Sequence, residues 1–136
     1  MSALDAALEA GRREAEARMR DQVRLHRVGP AAFDRETGET RPGSSLVLYE
    51  GRAWVRPEVT AGRDVQVGER ESVLRRYVVS LPWATTFPAE ARLLAGDQVH
   101  VLESHDARLV GVTLWVVDSQ MGEQATAWRI TAEDRS

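Results

Sequence analysis

The stretch that most constrains the fold runs from Leu93 to Val117, LLAGDQVHVLESHDARLVGVTLWVV. It reads as two apolar strands joined by a polar turn. In the first, Val99 and Val101 point one way and His100 and Leu102 the other. That period of two belongs to a strand with one face on a core. After Ser104-His105-Asp106 the chain resumes as LVGVTLWVV, apolar at nearly every position. A run that is apolar on both faces is expected to be covered twice, in the middle of a closed or sandwiched sheet. Gly96-Asp97 is a tight-turn pair that feeds the first strand.

The flanking segments supply more strands. Ser2 to Arg20 reads as a helix, opened by a capping box of Ser2 with Asp5 and carrying a thin apolar stripe of Leu4, Leu8, Ala15 and Met19. Val23 to Val28 alternates as a first strand. Gly29 to Gly43 is a loop or hairpin tip rich in turn residues. Ser44 to Arg56 is a second long strand, in which Gly51 predicts a bulge or bend. Pro57 to Glu71 is a polar loop of about 15 residues, longer than a usual connection. Val73 to Trp83 returns to strand, with Tyr77, Val79, Leu81 and Trp83 on one face. Thr85 to Ala95 is a connection with one helical turn predicted over 89–94. Ala125 to Thr131 is a last strand, with Trp128 and Ile130 on one face, and the final AEDRS is expected to fray. The sum is a mainly β chain: a small closed or partly open antiparallel barrel of about six strands, with one N-terminal helix and a long inter-strand loop. Residues 1–22 form the helical segment and 23–136 the barrel, with the extended loop at 57–72.

Composition narrows the function. The chain has 136 residues, enough for one domain, and no cysteine, so disulfides and thiolate metal sites are out. A net charge of −3 argues against a general nucleic-acid binder. No apolar run reaches the roughly 18 residues of a membrane span, and the N-terminus lacks a signal-peptide core. Lysine and asparagine are absent and Ile130 is the sole isoleucine; all three residues use AT-rich codons, which fits a GC-rich genome. Glu103, His105 and Asp106 lie close together, but a turn in solvent explains them better than a metal site with defined ligand spacing. No nucleophile elbow, zinc-helix or phosphate-loop motif is present. The four tryptophans, at positions 54, 83, 115 and 128, all fall in or beside strands, as barrel core and rim residues would. No catalytic residue, cofactor or metal is expected.

The ordered set of segments resembles the head-completion, or head-to-tail stopper, proteins of long-tailed bacteriophages. An N-terminal helix leads into a strand and a tip at Asp34 to Gly38. LVLYEGRAWVRP follows at Leu46 to Pro57, then a variable loop, RYVVSLPW at Arg76 to Trp83, AGDQVHV at Ala95 to Val101, and LVGVTLWVVD at Leu109 to Asp118. The likeness covers most of the chain and is nearest to versions from phages of GC-rich actinobacteria. It implies a structural protein of the virion neck, assembled in the host cytoplasm. Such a protein forms a homo-oligomeric ring of six or twelve below the portal or its adaptor, closes the DNA-filled head, and offers a docking surface to the tail terminator or tail tube. It also implies a loop that projects toward DNA in the channel; by position that is Pro57 to Glu71. The candidate residues for an interface or channel loop in and beside this region are Arg56, Arg63, Asp64, Glu69, Arg70 and Glu71. On the helix they are Leu4, Leu8, Arg12, Arg13 and Met19. Two alternatives stay open: an OB-like nucleic-acid-binding barrel, which would use an aromatic sheet face, and another virion ring, such as a tail terminator or adaptor.

Overall fold

The computed structural model describes residues 2–41, 43–58, 75–88 and 92–135. Helix α1 (Ala3–Ala17) opens the chain. The capping box is made in full: the Asp5 amide donates to Ser2 Oγ at 3.1 Å, and the Ser2 amide donates to the Asp5 carboxylate at 3.3 Å. Strand β1 (Asp21–Val28) follows, then two short strands, β2 (Ala32–Phe33) and β3 (Thr40–Arg41), and the long β4 (Ser45–Pro57). After these come β5 (Arg75–Pro82), β6 (Gln98–Glu103), a single 3-10 turn (Ala107–Leu109), β7 (Thr113–Gln120) and β8 (Ala127–Asp134).

Six of the strands close into an antiparallel barrel in the order β1-β4-β5-β8-β7-β6, with β6 returning onto β1. Closure gives every strand of the wall two neighbours, although β4 meets β5 only over Trp54–Pro57. Strands β2 and β3 lie outside this wall as a separate two-stranded tip between β1 and β4.

The interior follows the period-two pattern. Val23 and Leu25 of β1 face Val99 and Val101 of β6, and Val79 and Leu81 of β5 pair in register with Ile130 and Trp128 of β8. Val99 and Leu114 are directly opposite on β6 and β7. All of these except Trp128, which is half-buried, are essentially inaccessible. Branched aliphatic residues suit this role because they fill a pleated surface with little rotamer freedom to lose.

Three expectations are corrected. The run from Leu109 to Val117 is not covered on both faces. Its first residues form the turn before β7, and only Leu114 and Val116 of the strand point inward. Trp115 on the outside is half-buried, with the Arg135 guanidinium 5.4 Å from its ring, so a side chain from beyond the end of β8 replaces a second layer. Secondly, the bulge in β4 is not at Gly51. Leu25 pairs with Tyr49 and His26 with Val47, which leaves Leu48 as the extra residue. Gly51 instead makes room for the Tyr49 ring: a Cβ there would sit 2.8 Å from the Tyr49 hydroxyl, which donates to the Arg52 carbonyl at 2.6 Å. Thirdly, the C-terminal residues do not fray as expected, since β8 continues through Asp134 in register with Arg75. In the connection before β6, residues 92–94 are not helical, and 89–91 lie outside the described residues.

One buried ion pair ties the mouth of the barrel. Asp97, in the turn before β6, is 3 % exposed. Its two oxygens accept from Arg27 Nε at 2.8 Å and Arg27 Nη2 at 3.0 Å, and Oδ2 also accepts from the Leu94 amide at 2.8 Å. Gly96 permits that turn with a φ of 94°, a left-handed conformation that a side chain disfavours. The hydrogen bonds that Arg27 donates to Asp97 raise its guanidinium above its already high range.

On the outer side of β1 and β6, the His26 and His100 rings stack with centroids 4.5 Å apart and an interplanar angle of 14°. His100 Nδ1 lies 2.7 Å from the Thr113 hydroxyl. Burial holds the His100 imidazole below its ordinary range, and His26 and Arg24 push the same way. The folded state therefore binds a proton less readily than the unfolded chain. This contribution to stability is full above the unfolded pKa, near 6.5, and is lost as pH falls through it toward the lower folded value. The Tm is expected to be lower at pH 5.5 than at 7.5, and His100→Gln should flatten that dependence; an unchanged slope in the variant would contradict this.

Candidate assembly surface

The helix is fastened to its own barrel. Arg12 donates through Nε to the Ala125 carbonyl at 3.1 Å and through Nη2 to the Glu123 carbonyl at 2.6 Å, and its guanidinium lies 3.5 Å over the Trp83 ring. Trp83 Nε1 donates to the Gly122 carbonyl at 3.2 Å in the same β7–β8 turn. Close approach is possible because residue 11 is glycine; a Cβ there would lie 2.9 Å from Thr126 Cγ2. Arg12→Ala should destabilise the protein by about 1–2 kcal/mol, from one cation–π contact and two carbonyl partners left without a donor. Urea denaturation followed by tryptophan fluorescence reads this directly, and an unchanged midpoint would contradict it.

Of the helix residues proposed for an interface, Arg12 is therefore engaged within the chain. Met19 is buried and lies beyond the helix, whose C-cap is Arg18. Leu8 is half-buried, and Leu4 and Arg13 are exposed. Of the loop residues, Arg56 lies in β4, next to its last residue; Arg63, Asp64, Glu69, Arg70 and Glu71 lie outside the described residues. Asp106 caps the 3-10 turn and pairs with Arg108 at 3.0 Å. That side-chain hydrogen bond holds the Asp106 carboxyl below its usual range. Among the described residues no group of three His, Asp or Glu is placed to hold a metal ion. Among the described residues no helix is long and apolar enough to cross a membrane.

Two surfaces stand out, the first at the Gly29 to Gly43 tip that the sequence marked and the second on a wall of which the sequence named only Arg56. The first is the tip end of the barrel. Phe33 is 64 % exposed, and Val28, Leu46 and Val47 are each about half exposed. Val28 pairs with Ser45 and His26 with Val47, so these apolar residues gather at one end of the β1–β4 ladder. The tip is well ordered by its backbone. The Asp34 amide donates to the Glu39 carbonyl and the Gly38 amide to the Asp34 carbonyl, both at 2.9 Å. The base of the tip is equally close-set: a Cβ on Gly43 would fall 1.9 Å from the Gly29 carbonyl oxygen.

The second surface is on the outer wall at the other end of β4. Trp54, Ser80 and Arg129 lie side by side across β4, β5 and β8. Arg56 stacks 3.8 Å from the Trp54 centroid and donates to Ser80 Oγ at 2.9 Å; Arg18 lies 5.8 Å from the same ring. Burial pushes the Arg56 guanidinium below its usual range, and the charges of Arg129 and Arg18 add to this. Arg18 makes a long, exposed contact with Glu14 at 3.8 Å. Arg56 and Arg129 have no carboxylate partner among the described residues. The signal for this wall was Trp54 and Arg56 two positions apart on one strand; nothing in the linear pattern joins them to Arg129.

Residues 11–133 match a family described as a family of unknown function (DUF6093). The chain belongs to the DUF6093 family. The match spans both surfaces of this DUF6093 chain, from Arg18 through the tip to Arg129. No curated protein and no solved structure matches it.

Proposed function

We propose that this DUF6093 protein is a structural component of a bacteriophage neck: a head-completion, or stopper, subunit that forms a ring below the portal or adaptor, closes the filled head and receives the tail. The observation that carries the reading is the pairing of a closed barrel wall with a separate two-stranded tip that leaves apolar side chains in solvent. The segments that resemble stopper proteins occupy β4, β5, β6 and β7 of that one wall. A ring subunit needs a body that does not deform and an extension that reaches a neighbour, and a closed ring arises from head-to-tail contacts whose rotation closes. Exposed apolar side chains gathered at one end are the usual mark of a protein-binding surface.

The test is deletion of the gene from the phage that carries it. The reading expects heads that package DNA but lose it and do not join to tails. Deletion progeny with stable, DNA-filled heads joined to tails would contradict it.

A further inference from the structure

Resting on the ring reading, we infer which two surfaces of neighbouring copies meet: the acidic tip of one copy, Phe33 to Glu39, seats on the arginine wall of the next, Arg18, Arg56 and Arg129 around Trp54.

Each surface is incomplete in the single chain. The wall holds three guanidinium groups, the charges of Arg129 and Arg18 disfavour that of Arg56, and Arg56 and Arg129 have no acid partner among the described residues. Arg56 is nevertheless fixed in place, by Trp54 beneath it and Ser80 beside it. A pre-set planar fork is suited to a carboxylate, since little side-chain freedom remains to be lost on binding. The tip is the converse. Asp34 is occupied: its Oδ1 accepts from the Glu36 amide at 2.9 Å and its Oδ2 pairs with Arg41 at 3.4 Å. The carboxylates of Glu36 and Glu39 have no partner among the described residues, and only Arg35 opposes them between positions 33 and 39. Phe33 adds an exposed ring beside these acids.

The geometry sends the tip to a second copy rather than to its own wall. The tip leaves the barrel at Ser45, and the wall begins at Trp54 on the same strand. Nine residues of extended strand separate them by roughly 30 Å. The tip lies at one end of β4 and its complement at the other. A contact between two different surfaces on identical subunits leaves one of each free at the ends, so it propagates until it closes. That is the interface type a ring requires.

The experiment uses three full-length proteins: wild type, the tip variant E36R/E39R, and the wall variant R56E/R129E. R129E alone is a second wall variant that leaves the Arg56–Trp54 stack intact. Thermal melts establish that each is folded, and sedimentation velocity over a range of concentrations reads association. The wild type is expected to self-associate, and each variant alone to do so at least tenfold more weakly. An equimolar mixture of tip and wall variants has one intact tip and one intact wall per pair. The reversed tip and the reversed wall are also opposite in charge, so the mixture should regain the association that neither variant shows alone. The inference is overturned if the charge-reversed variants associate like wild type, if the mixture stays monomeric, or if the wild type does not self-associate. It is also overturned if R129E weakens binding to a DNA duplex while leaving self-association unchanged, since the wall would then serve phosphates. None of these outcomes bears on the neck reading, which is decided on virions.

Discussion

Leu114→Ala is expected to cost about 3 kcal/mol and to lower the Tm by about 10 °C. Leu114 is completely inaccessible, sits directly opposite Val99, and belongs to the same buried cluster as Leu25, Leu81 and Ile130. Truncation removes the transfer free energy of three carbons and leaves a void beside them. In an open sandwich the facing layers could shift inward to reduce that void. In a barrel of six strands hydrogen-bonded all round, strand number and stagger set the radius, so collapse is resisted. Leu114→Met, which nearly conserves volume, should cost less than about 1.5 kcal/mol. Urea denaturation measures both. A loss below about 1 kcal/mol in the alanine variant would mean that Leu114 is not at the centre of the core.

Asp97→Asn should be nearly as damaging as Asp97→Ala, with each lowering the Tm by about 8–10 °C. The reason is the number of donors aimed at the carboxylate. Oδ1 accepts from Arg27 Nε, and Oδ2 accepts from both Arg27 Nη2 and the Leu94 amide. An asparagine has one oxygen and one NH2 group. Whichever way the amide is turned, its nitrogen meets an N–H donor at hydrogen-bonding distance inside a buried site. The same turn carries the Gly96 amide to the Val116 carbonyl and the Val116 amide to the Asp97 carbonyl, both at 2.8 Å, so its loss would loosen the β6–β7 seam. Thermal melts of the two variants decide the matter. A well-tolerated Asp97→Asn would show that shape, not charge and acceptor count, is what the turn requires.

The fold was legible where one residue type in one alternation admits one reading. Val99 and Val101, Val79 and Leu81, and Trp128 and Ile130 each fall on the face expected of them. The capping box at Ser2 and Asp5 was legible because it is local. The bulge was not: glycine at 51 suggested it, yet the extra residue is Leu48, set by how β1 and β4 bring their register together around the barrel. Likewise, LVGVTLWVV looked like a doubly covered strand because the pattern cannot tell an apolar turn at Leu109 to Val112 from strand, nor foresee that Arg135 would lie over Trp115. The candidate surfaces were less legible still. Arg56 was named, but for its place beside a loop. Its neighbours Arg18, Ser80 and Arg129 come from elements far apart in sequence, brought together by the pairing of β4, β5 and β8 and by the end of the helix. Arg12 read as part of a helix surface for a neighbouring copy, and it instead links the helix to its own barrel.

The central claim is that copies of this chain form part of the junction between phage head and tail. The most direct test is to image purified virions in which the protein carries a gold-binding tag. The account predicts label at the neck, between the portal vertex and the first tail ring, with several copies in each particle. Label confined to the capsid shell or the tail tip, or virions that lack the protein altogether, would contradict it.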